Sequence, residues 1–121
     1  MEIKIDCEMD QSKKVITIKD NDYIFILCIN KIGQIINFYS YKNKKRIYVS
    51  NLMPYYVMYD SITKTYEEYE ILFNKKIFEE VKEYVDRLSR IKRFRDLNDP
   101  NFELSLKILT ELFDDFAARM I

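Results

Sequence analysis

The chain has 121 residues, 48% of them hydrophobic and 33% charged, and its twenty Lys and Arg balance twenty Asp and Glu. That length supports one hydrophobic core, and the composition is that of a folded protein rather than a disordered one. A formal charge of zero removes any bulk-charge argument for a nucleic-acid binder or an acidic mimic of one, and the absence of histidine removes the commonest general base, metal ligand and partner of a nucleophile.

Met1-Glu2-Ile3-Lys4 opens directly into alternating charged and apolar residues, with no apolar run long enough to cross a bilayer, so the expectation is a cytoplasmic protein without a membrane partner. Ile3, Ile5 and Cys7 alternate with Glu2, Lys4, Asp6 and Glu8, the period of a strand with one buried and one charged face, suited to a sheet edge. Residues 15–19 are mostly β-branched, and Asp20-Asn21-Asp22 supplies a tight turn into residues 23–29. That run, Tyr-Ile-Phe-Ile-Leu-Cys-Ile, has no polar position to turn towards water and predicts a central strand covered on both faces.

Asn30-Lys31-Ile32-Gly33-Gln34 carries turn chemistry around the single glycine, residues 35–41 read as a fourth strand, and Lys42-Asn43-Lys44-Lys45 turns it into a fifth at 46–50. Pro54 fits the break before a sixth strand at 55–59, at an edge because proline cannot donate to a ladder. Residues 1–62 therefore predict an antiparallel meander of five to six strands.

Residues 63–121 predict mainly helix, although residues 63–73 read equally as a helical turn or as a strand. Ile77, Val81, Tyr84, Leu88 and Ile91 repeat in steps of four and three, with i,i+4 pairs such as Glu83/Arg87 on the other faces and Asn74 as N-cap. Asp99-Pro100 gives an N-cap followed by proline at the first helical position, and Phe102, Leu106, Leu109, Phe113, Phe116 and Met120 continue the apolar row, beside a second row of Leu104, Ile108 and Leu112. A short connection at Leu97-Asn98 predicts two antiparallel C-terminal helices packed on one face of the sheet, the whole a single α+β domain over residues 1–121. The other face of the central strand then needs cover from sheet curvature or a second copy, and homo-oligomerisation is the expectation.

Chemistry is sparse. Cys7 and Cys28 stand far apart in strand-like contexts and are expected to be reduced, buried and structural. Glu79, Glu80 and Glu83, and Glu111, Asp114 and Asp115, have the spacing for a shared metal, but that is equally the spacing of an ordinary solvated helix face. Glu2-x-Lys4 and Glu80-x-Lys82 resemble fragments of a metal-dependent nuclease signature without its upstream acidic ligand, and one glycine forbids a glycine-rich phosphate loop. No enzyme, no metal and no cofactor are expected.

Charge is uneven locally. Lys31, Lys42, Lys44, Lys45 and Arg46 occur in residues 31–50 without an acidic residue, interleaved with Phe38, Tyr39, Tyr41 and Tyr48. If Ile36, Phe38, Ile47 and Val49 face the core, period two sends Tyr39, Tyr41, Arg46 and Tyr48 to the opposite face, an aromatic and basic surface with Lys44 and Lys45 at its turn. The plainer reading has these tyrosines packing as sheet surface and the lysines guarding a hairpin against aggregation. A second basic run, Arg87, Arg90, Lys92, Arg93 and Arg95, suits the end of the first helix on dipole grounds alone. The expected function is a non-enzymatic binding protein acting on another protein (a toxin, nuclease or host factor), of the immunity, antitoxin or phage-inhibitor type. The alternative is a single-stranded nucleic-acid binder using residues 38–48.

Overall fold

The computed structural model describes residues 1–7, 13–49, 75–91 and 99–119. The chain forms two compact units, Met1–Leu72 and Phe73–Ile121. In order it runs β1 (Glu2–Cys7), β2 (Lys13–Asp20), β3 (Tyr23–Asn30), β4 (Ile35–Lys42), β5 (Lys45–Val49), α1 (Lys75–Leu88) and α2 (Pro100–Arg119). This is an α+β arrangement, a five-stranded antiparallel sheet followed by two helices. The expected sixth strand at 55–59, the ambiguous residues 63–73, the Asn74 cap and the Leu97-Asn98 connection lie outside the described residues.

The sheet is a simple meander, ordered β1-β2-β3-β4-β5, with β3 in the middle. Every residue of β3 from Ile24 to Ile29 is 3% exposed or less, as an uninterrupted apolar run requires. Cross-strand partners share a face, so the register sorts the side chains. Ile26 opposite Tyr39, Ile24 opposite Tyr41 and Cys28 opposite Asn37 define one face, on which Ile24, Ile26, Cys28, Tyr39 and Tyr41 form a cluster flanked by Val15, Ile36 and Val49. Leu27 opposite Phe38, Phe25 opposite Ser40, and Ser40 opposite Tyr48 define the other, which continues through Ile16 and Ile18 to Ile3. Its rings follow one another across the sheet: Tyr23 to Phe25 at 6.0 Å, Phe25 to Phe38 at 6.5 Å and Phe38 to Tyr48 at 5.9 Å between centroids.

Three turns set this register. Between β2 and β3, Asn21 takes φ 52°, a left-handed conformation that Asn tolerates better than most residues. Between β3 and β4, Gly33 takes φ 84° while the Asn30 side chain ties the loop, its Oδ1 accepting from the backbone N–H of Ile32 at 3.2 Å and of Gln34 at 2.9 Å. Between β4 and β5, Asn43 and Lys44 take φ 52° and 65°, the two positive angles of the type I′ turn that suits the twist of a two-residue hairpin.

Cys28 is buried in β3, but Cys7 is exposed, which corrects the expectation that both are buried. It is the last residue of β1, beyond the reach of the apolar face. Both are free thiols, and the register places them on opposite faces of strands two apart, a separation no disulfide spans.

In the second unit, α1 buries Phe78, Val81, Val85 and Leu88, a stripe turned slightly from the expected one, so that Ile77 and Tyr84 are only half-buried. The turn brings the Phe78 ring onto Phe113 and Phe116 of α2, both at 5.2 Å. The first turn of α1 thus meets the last turns of α2, the contact expected of an antiparallel pair. α2 buries Phe102, Ser105, Leu109 and Phe113, whereas Leu104 is 49% exposed, so the second apolar row does not begin in a core. Asp99 caps α2 as expected, its Oδ1 accepting from the Asn101 N–H at 2.9 Å with Pro100 at the first helical position. Among the described residues no helix is long and apolar enough to cross a membrane.

Lys44 holds a left-handed conformation that costs an L residue about 1 kcal/mol and glycine nothing. Lys44→Gly is therefore expected to raise stability by up to about 1 kcal/mol in urea melts. A loss of stability would contradict the turn assignment.

Candidate functional site

The candidate surface is built on the β4–β5 hairpin. Lys42, Asn43, Lys44, Lys45 and Arg46 are all exposed, one after another, because the type I′ turn places the strand ends and their side chains at the tip of the sheet. Below the tip the Lys42 ammonium lies 5.4 Å from the centroid of the Tyr23 ring, its cross-strand neighbour. The β2–β3 turn lies at the same end: the Asn43 N–H donates to the Asp22 carbonyl at 2.9 Å, joining the two turns through the backbone. The tip therefore carries a run of cations with the exposed carboxylate of Asp22 in the adjoining turn.

Of the six residues expected to share one surface, Lys44, Lys45 and Arg46 are exposed and Tyr39, Tyr41 and Tyr48 are not. The tyrosines are 1%, 3% and 2% exposed. Nor do they share a face. Tyr39 and Tyr41 lie in the Ile24-Ile26-Cys28 cluster, while Tyr48 packs on Phe38, the residue expected to face the other way. The physical reason is a register shift between Ser40 and Tyr41, which sets Ser40 opposite Tyr48 but Tyr41 opposite Arg46 and leaves Ile47 as the extra residue. Val49 accordingly joins Tyr39 rather than Phe38. The aromatic and basic patch divides into a basic tip and an aromatic core.

Two further residues stand out in the core that their sequence context did not single out. Asn37 and Thr17 are wholly buried, and neither the amide of Asn37 nor the hydroxyl of Thr17 has a hydrogen-bond partner among the described residues. Both belong to the face of Cys28 and Tyr39. The only sequence signal was a polar residue inside an apolar strand, Asn37 between Ile36 and Phe38. Burial, and secondarily the neighbouring Cys28 thiol, push the Tyr39 phenol well above its ordinary value.

The remaining charged groups behave as surface. Glu83 accepts from Arg87 at 2.7 Å, and the same guanidinium lies 5.1 Å from the Tyr84 ring centroid. Arg90 is exposed, and Lys92, Arg93 and Arg95 lie outside the described residues. Glu79, Glu83, Glu111, Asp114 and Asp115 are exposed, and no group of three or more metal-capable side chains occurs among the described residues. Comparisons of the chain with protein-family models, with curated proteins and with solved structures found no match.

Since Tyr39 and Tyr48 are core residues, replacing either by Ala is expected to cost about 3 kcal/mol or more, read as a lowered urea midpoint. An unchanged midpoint would return them to the surface. The neutral Tyr39 phenol is favoured in the folded state, so its contribution is fully present below the unfolded value of about 10 and is lost as pH rises above it. Alkaline melts of Tyr39→Phe should therefore lose stability less steeply above about pH 10 than the parent chain. Parallel slopes would overturn the assignment.

Proposed function

We propose that this chain is a non-enzymatic binding protein whose β4–β5 hairpin tip docks on an acidic surface of another protein. The supporting observation is the run of exposed cations Lys42, Lys44, Lys45 and Arg46 on a tight turn whose strands are pinned by a buried core. A tip held this way presents its charges without a large ordering cost, and clustered charge of one sign accelerates encounter with a complementary partner. Immunity proteins, antitoxins and phage-encoded inhibitors work by such occupancy, and the absence of histidine fits that class better than hydrolysis. An exposed free thiol at Cys7 fits a reducing cytoplasm.

Nucleic acid is the competing partner. Binding of single strands relies on rings that stack bases, and Tyr39, Tyr41 and Tyr48 are withdrawn into the core, so this hairpin offers phosphate contacts without a stacking platform. Tagged protein recovered from nuclease-treated native cells, beside the triple variant Lys44→Glu, Lys45→Glu, Arg46→Glu, separates the two. A protein partner retained by the parent and released by the variant supports the proposal. A salt-dependent shift with labelled oligonucleotides, abolished by the same variant, would replace it with nucleic-acid binding.

A further inference from the structure

The outer edge of β1 carries a pattern of charge, Lys4 and Asp6, that is complementary to itself. In the two-residue turn after β2, Asp20 and Tyr23 are the closing pair, and such a pair exchanges both backbone hydrogen bonds. The Asn43 N–H bond to the Asp22 carbonyl fits that phase, because it makes Tyr23 opposite Lys42 the alternate, non-bonded kind of pair. Counting back through the register, Lys19, Thr17 and Val15 direct their backbone groups at β1, where Glu2, Lys4 and Asp6 receive them. Ile3, Ile5 and Cys7 consequently direct their N–H and C=O groups away from β2, along an edge that no other described strand covers. A row of such groups is a template for another strand.

We infer that β1 pairs with β1 of a second copy of this chain, antiparallel about Ile5, joining two five-stranded sheets into one. About that centre Ile5 meets Ile5, and Ile3 meets Cys7, each pair exchanging backbone hydrogen bonds. Lys4 falls opposite Asp6 twice, in the closer, non-bonded kind of pair. These two side chains share a face and lie 3.6 Å apart within one chain, 31% and 47% exposed. A shift of the centre to Lys4 sets lysine against lysine and Glu2 against Asp6, and repulsion rejects it. A further shift to Ile3 pairs Glu2 with Lys4 but uses only the first half of the strand, drawing in Met1, whose amino group lies 3.6 Å from Asp20. Over the described strand, Glu2–Cys7, charge and length together favour the centre at Ile5.

The test is sedimentation equilibrium of the full chain with Lys4→Asp, with Asp6→Lys, and with the two variants mixed in equal amounts, each first checked for a cooperative thermal melt. The parent is expected to dimerise with a Kd below about 100 μM, and each single variant to self-associate at least about tenfold more weakly, because like charges then face each other at both symmetry-related positions. The mixture should dimerise again, since one partner supplies only carboxylates and the other only ammonium groups. A parent that stays monomeric overturns the inference, as does a dimer indifferent to both substitutions. Loss of the dimer with Lys4→Asp but not with Asp6→Lys overturns the register in favour of the centre at Ile3. A failed fold in one variant leaves the double exchange Lys4→Asp with Asp6→Lys, which restores complementarity and must dimerise if the pairing is right.

Discussion

A strand with no charged or amide side chain from Ile24 to Ile29 needs cover on both of its faces. β3 presents Ile24, Ile26 and Cys28 to one face and Phe25, Leu27 and Ile29 to the other, all buried, so both sides must be sealed from water. Its neighbours carry that burden: β2 supplies Ile16 and Ile18, and β4 supplies Phe38 to one face and Tyr39 and Tyr41 to the other. The tyrosines are drawn inside because the rows beside β3 are the positions of greatest burial, and a large ring there removes on the order of 150–250 Å² from water. Position relative to β3 decides their fate more than their own polarity does.

The local features were legible because each rests on a few adjacent residues. The unbroken run 23–29 is β3, the turns at Asn21, Gly33 and Asn43 fall where Asn and Gly stand, and Asp99-Pro100 caps α2. What stayed hidden depends on the phase between elements. Alternation within β4 separates Phe38 from Tyr39 correctly, but alternation says nothing about where β5 begins relative to β4, and the shift at Ser40/Tyr41 moved Tyr48 to the face of Phe38. The assumption that one face of a sheet is core and the other surface failed for the same hairpin, since both faces at β4 are buried. The exposure of the basic tip was legible because Lys44 lies in the turn and Lys42, Lys45 and Arg46 in the strand ends beside it.

Asn37 and Thr17 sit badly with a core made of Ile, Phe and Tyr. A buried amide or hydroxyl without a partner costs about 1–3 kcal/mol, and neither group has one among the described residues. Asn37 stands opposite Cys28, directly beside the register shift between Cys28 and Ile29.

The meander also has a consequence in time. Each of the four strand pairings joins strands adjacent in sequence, and two of the connections are turns of two residues. The entropy of closing such a loop is far smaller than that of bringing distant segments together, and hairpins form on the order of microseconds. The sheet can grow from its tight turns outward, strand by strand, with β3 shared by the hairpins on either side. Among the described strands no pairing waits for a distant part of the chain to arrive, and β3 gains both of its neighbours from adjacent hairpins.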